Sequence, residues 1–223
     1  MNRLAVFARW PIPGSVKSRL SPALPADLAC RLHRAMLEDT LAACEGAGAG
    51  ERFLYWADAP TDHGGFPDPE GVIVREQYGR VLGERLGHAF AGLLAGPGHR
   101  AIVVGADCPE LESAAIRQAF DALATSDLAV GPASDGGYYL LGLRRAAPAL
   151  FEGIAWSTDR VLEQTLERAS DAGLTTALLP RLADLDTPDD LVRYVAQRAL
   201  RAGAAGRHTQ AALREMGLLP AGV

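Results

Sequence analysis

The stretch Arg100–Leu111 carries the first side chain with chemical reach. Four apolar residues, Ala101 to Val104, run into Gly105; Asp107 stands two positions on, and Pro109 stops the run from continuing. An apolar run without alternation fits a strand buried on both faces, as in a parallel sheet. A carboxylate just past the carboxyl end of such a strand lies where open α/β sheets take their ligands. Asp107 therefore reads either as a metal ligand or as the cap of a helix starting near Leu111. A cationic group comes earlier: Arg9, Lys17 and Arg19 share one loop with Gly14, between the first strand-like segment and the first helix. Cations and backbone N–H groups at a strand-to-helix loop make a phosphate cradle, and glycine allows close backbone approach. The plainer alternative is a solvated basic loop. The GxxxxGK[ST] spacing is absent, so the loop is not a P-loop.

Three further stretches can join these two. Asp135-Gly136-Gly137 separates two apolar runs, the pattern of a hairpin turn that needs positive φ. The glycines also leave room for a ligand on the backbone, with Asp135 first of all a turn residue. Gln77 to Leu86 opens a helix; it reads as a helix start with Gly83 tolerated at close packing, or as a second junction that brings Gln77 and Gly83 near a nucleotide base. Late in the chain, Thr187 fits an N-cap, Pro188 the first helical position, and Asp189 and Asp190 the first-turn acids that favour the helix dipole. Capping leaves Asp184 and Asp186 unexplained.

The elements that position these residues follow from periodicity. Strands are expected at Arg3–Ala8, Glu51–Ala57, Gly71–Arg75, Ala101–Val104, Asp127–Pro132, Tyr138–Leu143 and Thr175–Leu179. Helices are expected at Pro25–Cys44, from Leu82 to Leu94, at Glu112–Ala124, after Ser157 as N-cap, after Thr187, and at His208–Leu219. Residues 1–200 form one domain, and 201–223 a tail with a short helix and a flexible break at Ala202–Gly206. A net charge of −5 argues against nucleic acid or an anionic membrane as partner. No apolar stretch is long enough to span a bilayer and no signal pattern opens the chain, so the protein is expected to be cytoplasmic. Cys30, Cys44 and Cys108 form no CxxC and are expected as thiols. The five histidines lack zinc-ligand spacing, and the Asp62-His63 pair reads as surface.

The order of these signals resembles the nucleotide-diphospho-sugar transferase superfamily. More narrowly, Pro11-Ile-Pro13-Gly14-Ser-Val-Lys17-Ser-Arg19-Leu20, Gly131-Pro-Ala-Ser-Asp135-Gly-Gly-Tyr-Tyr139 and Trp156-Ser157-Thr158 resemble the DUF2064 family over roughly residues 1–200. That resemblance implies a GT-A fold: α/β, a three-layer αβα sandwich around a mixed, mostly parallel sheet. The Lys17–Leu20 segment is similar to the loop of phospholactate and phosphoenolpyruvate guanylyltransferases, and Gln77–Leu86 to the base-contacting segment of sugar-phosphate nucleotidylyltransferases. By this resemblance Asp107 and either Asp184 or Asp186 hold Mg²⁺ (or Mn²⁺), and Arg9, Gly14, Lys17, Arg19, Gln77, Gly83, Gly136 and Gly137 contact the nucleotide. Many GT-A glycosyltransferases carry Asp-x-Asp at the strand end; the single carboxylate of Gly105-Ala-Asp107 is nearer the nucleotidylyltransferases. The expected reaction is nucleotidylyl transfer from an NTP to a small phosphorylated acceptor, with Lys17, Arg19 and Asp107 at the chemistry. The alternatives are glycosyl transfer from a nucleotide-diphospho-sugar, with Asp135 as base, and a non-catalytic nucleotide-binding module. The expected assembly is a monomer or homodimer.

Overall fold

The computed structural model describes residues 1–21, 23–60, 69–200 and 205–220. The Asp62-His63 pair and most of the expected break at 202–206 lie outside the described residues. Seven strands form one sheet: β1 (Asn2–Arg9), β2 (Glu51–Ala57), β3 (Ile73–Glu76), β4 (Arg100–Gly105), β5 (Leu128–Pro132), β6 (Tyr138–Leu143) and β7 (Thr176–Leu178), in the order β3-β2-β1-β4-β6-β5-β7. All neighbours are parallel except that β6 runs against both β4 and β5. The expected α/β class with a mixed, mostly parallel sheet is therefore what the chain adopts.

Alternate residues of the central strands go to opposite faces, and both faces are covered. On one face Leu4, Val6, Ile102 and Val104 pack with Leu37, Ile116 and Phe120 of α1 (Ala26–Glu45) and α3 (Ser113–Ala122). On the other, Ala5, Val103 and Leu141 meet Phe90 and Leu93 of α2 (Leu82–Leu93) and Ala169 of α4 (Val161–Asp171). This explains why Ala101–Val104 shows no polar alternation: neither face of β4 reaches water. Among the described residues no helix is long and apolar enough to cross a membrane.

A third apolar cluster ties the ends of the chain together. Leu20 from the first loop and Leu185 from the stretch before α5 (Pro188–Leu200) pack with Leu32 and Met36 of α1 and Leu213 of α6 (Arg207–Glu215). In the first turn of α6, the backbone N–H groups of His208 and Thr209 donate to the two carboxylate oxygens of Asp39 at 2.9 and 2.8 Å. The segment set apart as a tail thus shares a core with the loop that carries Lys17. One expectation is corrected. Ser157 does not cap α4: the helix starts at Val161, after Arg160, and Ser157 has a left-handed φ of 64° instead of the extended backbone an N-cap requires. Thr187 does cap α5. Its hydroxyl accepts from the Asp190 N–H at 3.3 Å while Asp190 Oδ2 accepts from the Thr187 N–H at 2.8 Å, a reciprocal capping box.

Candidate active site

The carboxyl ends of β1, β2 and β4 open into a cleft of about 840 Å³. Three segments distant in sequence meet in it. The loop after β1 brings Lys17 and Arg19, the end of β4 brings Asp107, and the run before α5 brings Asp184 and Asp186. The backbone joins two of them directly, the Leu185 N–H donating to the Asp107 carbonyl at 2.9 Å. Asp190 fixes the third by accepting from the N–H groups of both Asp186 and Thr187.

Lys17 is the junction. It is the only lysine of the chain, every other basic side chain counted with it being arginine. Its backbone is left-handed, with φ 50°, and its side chain is 2% exposed. The ammonium donates to Asp107 Oδ1 at 2.5 Å and to the Leu185 carbonyl at 2.7 Å, and stands 3.5 Å from Asp186 Oδ1. A compact ammonium with three donors suits three oxygens crowded around one point; a planar guanidinium does not. Burial by itself lowers an ammonium pKa, but Asp107 and Asp186 outweigh it and hold Lys17 above its ordinary value. For Asp107, the loss of solvation that would raise a carboxyl is likewise outweighed by the Lys17 charge and hydrogen bond, and its pKa falls below the ordinary value. Arg19 adds a bond to Asp186 Oδ2 at 2.9 Å while remaining largely exposed.

Asp184 behaves differently. Burial first, then the neighbouring carboxylates Asp135, Asp190 and Asp186, push its pKa above the ordinary value. Its Oδ1 is buried and has no hydrogen-bond partner. An orphaned carboxylate oxygen among other carboxylates is a poor arrangement by itself and a good one for a hard divalent cation, which takes oxygen ligands. Asp107, Asp184 and Asp186 are thus chemically suited to Mg²⁺ or Mn²⁺. Among the described residues, however, no three such groups close on one point; the ammonium of Lys17 lies between Asp107 and Asp186.

The other expected residues divide. Arg9, Gln77, Asp135 and Gly137 border the cleft. Gln77 is anchored, its amide nitrogen donating to the Tyr55 carbonyl at 2.9 Å, and Asp135 Oδ1 accepts from the Gly137 N–H at 2.9 Å, closing the turn. Gly14, Gly83 and Gly136 do not border it. Gly14 turns the loop with φ 83°, and Gly83 lies beneath the Trp156 ring. Gly136 has φ 89° and faces the Asp159 backbone so closely that no side chain fits. His33, Arg80 and Arg85 also border the cleft, the two arginines within the Gln77–Leu86 segment and His33 unmarked by any sequence signal. His33 is hydrogen-bonded to the Arg9 carbonyl at 3.0 Å, and burial above all lowers its pKa, so it is a neutral prop for the loop. One overlooked signal was available for the cluster itself, the solitary lysine. Cys108, beside Asp107, is held well above the ordinary thiol range by burial and by Asp107, which makes it no nucleophile.

The family model described as an uncharacterized protein conserved in bacteria (DUF2064) matches residues 40–158. The chain belongs to the DUF2064 family. It is also 32% identical over 208 residues, 90% of each chain, to the 3-phospho-D-glycerate guanylyltransferase of Phenylobacterium zucineum (strain HLK1). A crystal structure from Desulfovibrio desulfuricans G20, assigned to the nucleotide-diphospho-sugar transferases, superposes with a TM-score of 0.85 at 30% identity, covering 97% of this chain and 95% of that one. The manganese complex of Rv0371c from Mycobacterium tuberculosis H37Rv shares the fold, with a TM-score of 0.54 at 18% identity over 86% of this chain and 96% of that one. This DUF2064 chain is an α/β protein of the nucleotide-diphospho-sugar transferase fold, matched at nearly full length.

Proposed function

We propose that the protein is a divalent-metal-dependent nucleotidylyltransferase, moving a nucleoside monophosphate from an NTP to a small phosphorylated acceptor with release of pyrophosphate. The observation that carries this reading is the meeting of Lys17, Asp107, Asp184 and Asp186 in one cleft, in a chain that aligns at nearly full length with a guanylyltransferase. GTP and 3-phospho-D-glycerate, the pair in that relative's name, are the first substrates to offer.

In this reading Arg19 and Arg9, both largely exposed at the cleft, bind the outgoing phosphates. Lys17 holds Asp107 and Asp186 in place and neutralises charge as it builds on the reacting phosphate. A divalent cation held by Asp107 and either Asp184 or Asp186 would supply further neutralisation of the phosphate oxygens. The nucleophile is an ionised phosphate oxygen of the acceptor, so no general base is needed. Catalysis is placement plus charge stabilisation. Incubating the protein with Mg²⁺, GTP and 3-phospho-D-glycerate should release pyrophosphate. Release of a nucleoside diphosphate from a nucleotide sugar instead would move the assignment to glycosyl transfer, the reading favoured by the name of the Desulfovibrio structure.

A further inference from the structure

Gly83 and Trp156 both stood out in the sequence, and phosphate chemistry accounts for neither. In the structure they form one feature. Gly83 lies in the first turn of α2 with an ordinary helical backbone, so its φ does not call for glycine. What calls for it is the Trp156 indole: a Cβ at position 83 would stand 2.7 Å from three atoms of that ring. Trp156 is half-buried and borders the cleft. The segment it opens is pinned at its other end as well, where the Asp159 backbone lies against the bare Cα of Gly136 and the Leu162 N–H donates to the Gly136 carbonyl at 2.9 Å. Ser157, between these two anchors, takes the left-handed backbone and makes no hydrogen bond through its hydroxyl among the described residues. Two close glycine approaches and one unfavourable backbone angle are thus given over to holding an aromatic ring at the edge of the cleft.

The position of that ring tells which substrate it meets. Strand β4, with Asp107 at its end, has β1 on one side and β6 on the other. The cations follow β1; the Asp135 turn precedes β6, and the segment that begins at Trp156 is tied to that turn where Asp159 and Leu162 meet Gly136. An in-line displacement needs the attacking oxygen opposite the leaving pyrophosphate. With pyrophosphate on the Arg19 side, the acceptor comes from the β6 side, against the indole. We propose that Trp156, held in place by Gly83, is the wall that sets the size of the phosphorylated acceptor. This rests on the nucleotidylyl-transfer reading and makes Trp156 specificity-determining within it.

A double-mutant cycle tests the wall, with pyrophosphate release from GTP and 3-phospho-D-glycerate as the readout. Gly83→Ala displaces the ring into the cleft and raises KM for 3-phospho-D-glycerate about tenfold. KM for GTP stays within about twofold, the scatter of independent sites. In the Trp156→Ala background the Gly83→Ala change has no further effect on the acceptor, because no ring is left to displace. Should Gly83→Ala not fold, Trp156→Ala alone carries the test: its preference for glucose 6-phosphate over 3-phospho-D-glycerate, as a ratio of kcat/KM, rises about tenfold. The inference is overturned by a Gly83→Ala effect on GTP with the acceptor unmoved, or by an unchanged preference in Trp156→Ala. No pyrophosphate from the unmodified protein takes down the reaction and this inference together, whereas normal turnover with indifferent variants removes the inference alone.

Discussion

Two clusters of charge stand at opposite edges of the same sheet, and they are built on opposite terms. At the edge away from the cleft, Asp127 precedes β5, Arg144 and Arg145 follow β6, and Thr175 precedes β7. Asp127 Oδ1 accepts from both arginines at 2.9 and 3.0 Å, and Oδ2 from the Thr175 N–H and hydroxyl at 3.1 Å each. Bonds from Arg145, Thr175 and Arg144 hold its pKa well below the usual carboxylate range against the opposing effect of burial. Every lone pair that can be used is used. At the cleft, by contrast, Asp107 and Asp186 share one buried ammonium, and an oxygen of Asp184 has nothing. Polar groups in a finished structural cluster are satisfied; a cluster left short is kept for something that arrives later.

That contrast can be broken most sharply at Lys17. Lys17→Met should lower kcat by about 10²-fold or more, the usual cost of deleting one preorganised charge donor, and Lys17→Arg should fail to restore it. Rates of pyrophosphate release decide this; a variant with near-normal kcat would leave Lys17 a structural cation like Arg144. At the other edge, Asp127→Asn should cost about 1–3 kcal/mol of stability through its weakened bonds. Its kcat below the unfolding transition should not change, which urea titration and kinetics together can check. Asp184→Asn should do the reverse, removing a half-buried, underpaired charge. We expect activity to fall and stability at neutral pH to rise by about 0.5–2 kcal/mol, the usual range for relief of functional strain. A loss of stability there would place Asp184 with Asp127.

The smallest effect separates the two clusters by pH. The folded pKa of Asp127 is depressed, so its contribution to stability is present above the unfolded value and is lost only as pH falls through the folded one. The Asp184 pKa is raised, so it disfavours the folded state at neutral pH and ceases to do so as acid protonates it. Mn²⁺ binding without nucleotide should therefore weaken on acidification while the fold is still intact. Titrations of Mn²⁺ affinity and of stability over the same pH series should show the first loss at the higher pH.

The elements were legible because periodicity and punctuation agree. β2 occupies the expected Glu51–Ala57, and the Asp135-Gly136 signal marks the hairpin between β5 and β6. The acids left over by capping, Asp184 and Asp186, do reach the cleft. What the sequence hid depends on distance. Nothing local says that Lys17 is buried, since its oxygens come from residues far along the chain. Asp127 drew no notice because its partners lie just beyond the ends of two other strands. Ser157 misled because serine before a helical pattern suggests a cap, and only the packing of Trp156 and Asp159 against two glycines reveals another use for that turn.

The shared burial of Leu20, Leu185 and Leu213 has a consequence for biosynthesis. The loop bearing Lys17 leaves the ribosome well before the helix that finishes the apolar floor beneath it. Until α6 swings back onto α1 and the Asp39 carboxylate receives its first amides, the nascent loop has no complete bed to settle on. Competence to turn over substrate is thereby conferred on the polypeptide only once α6 is in place.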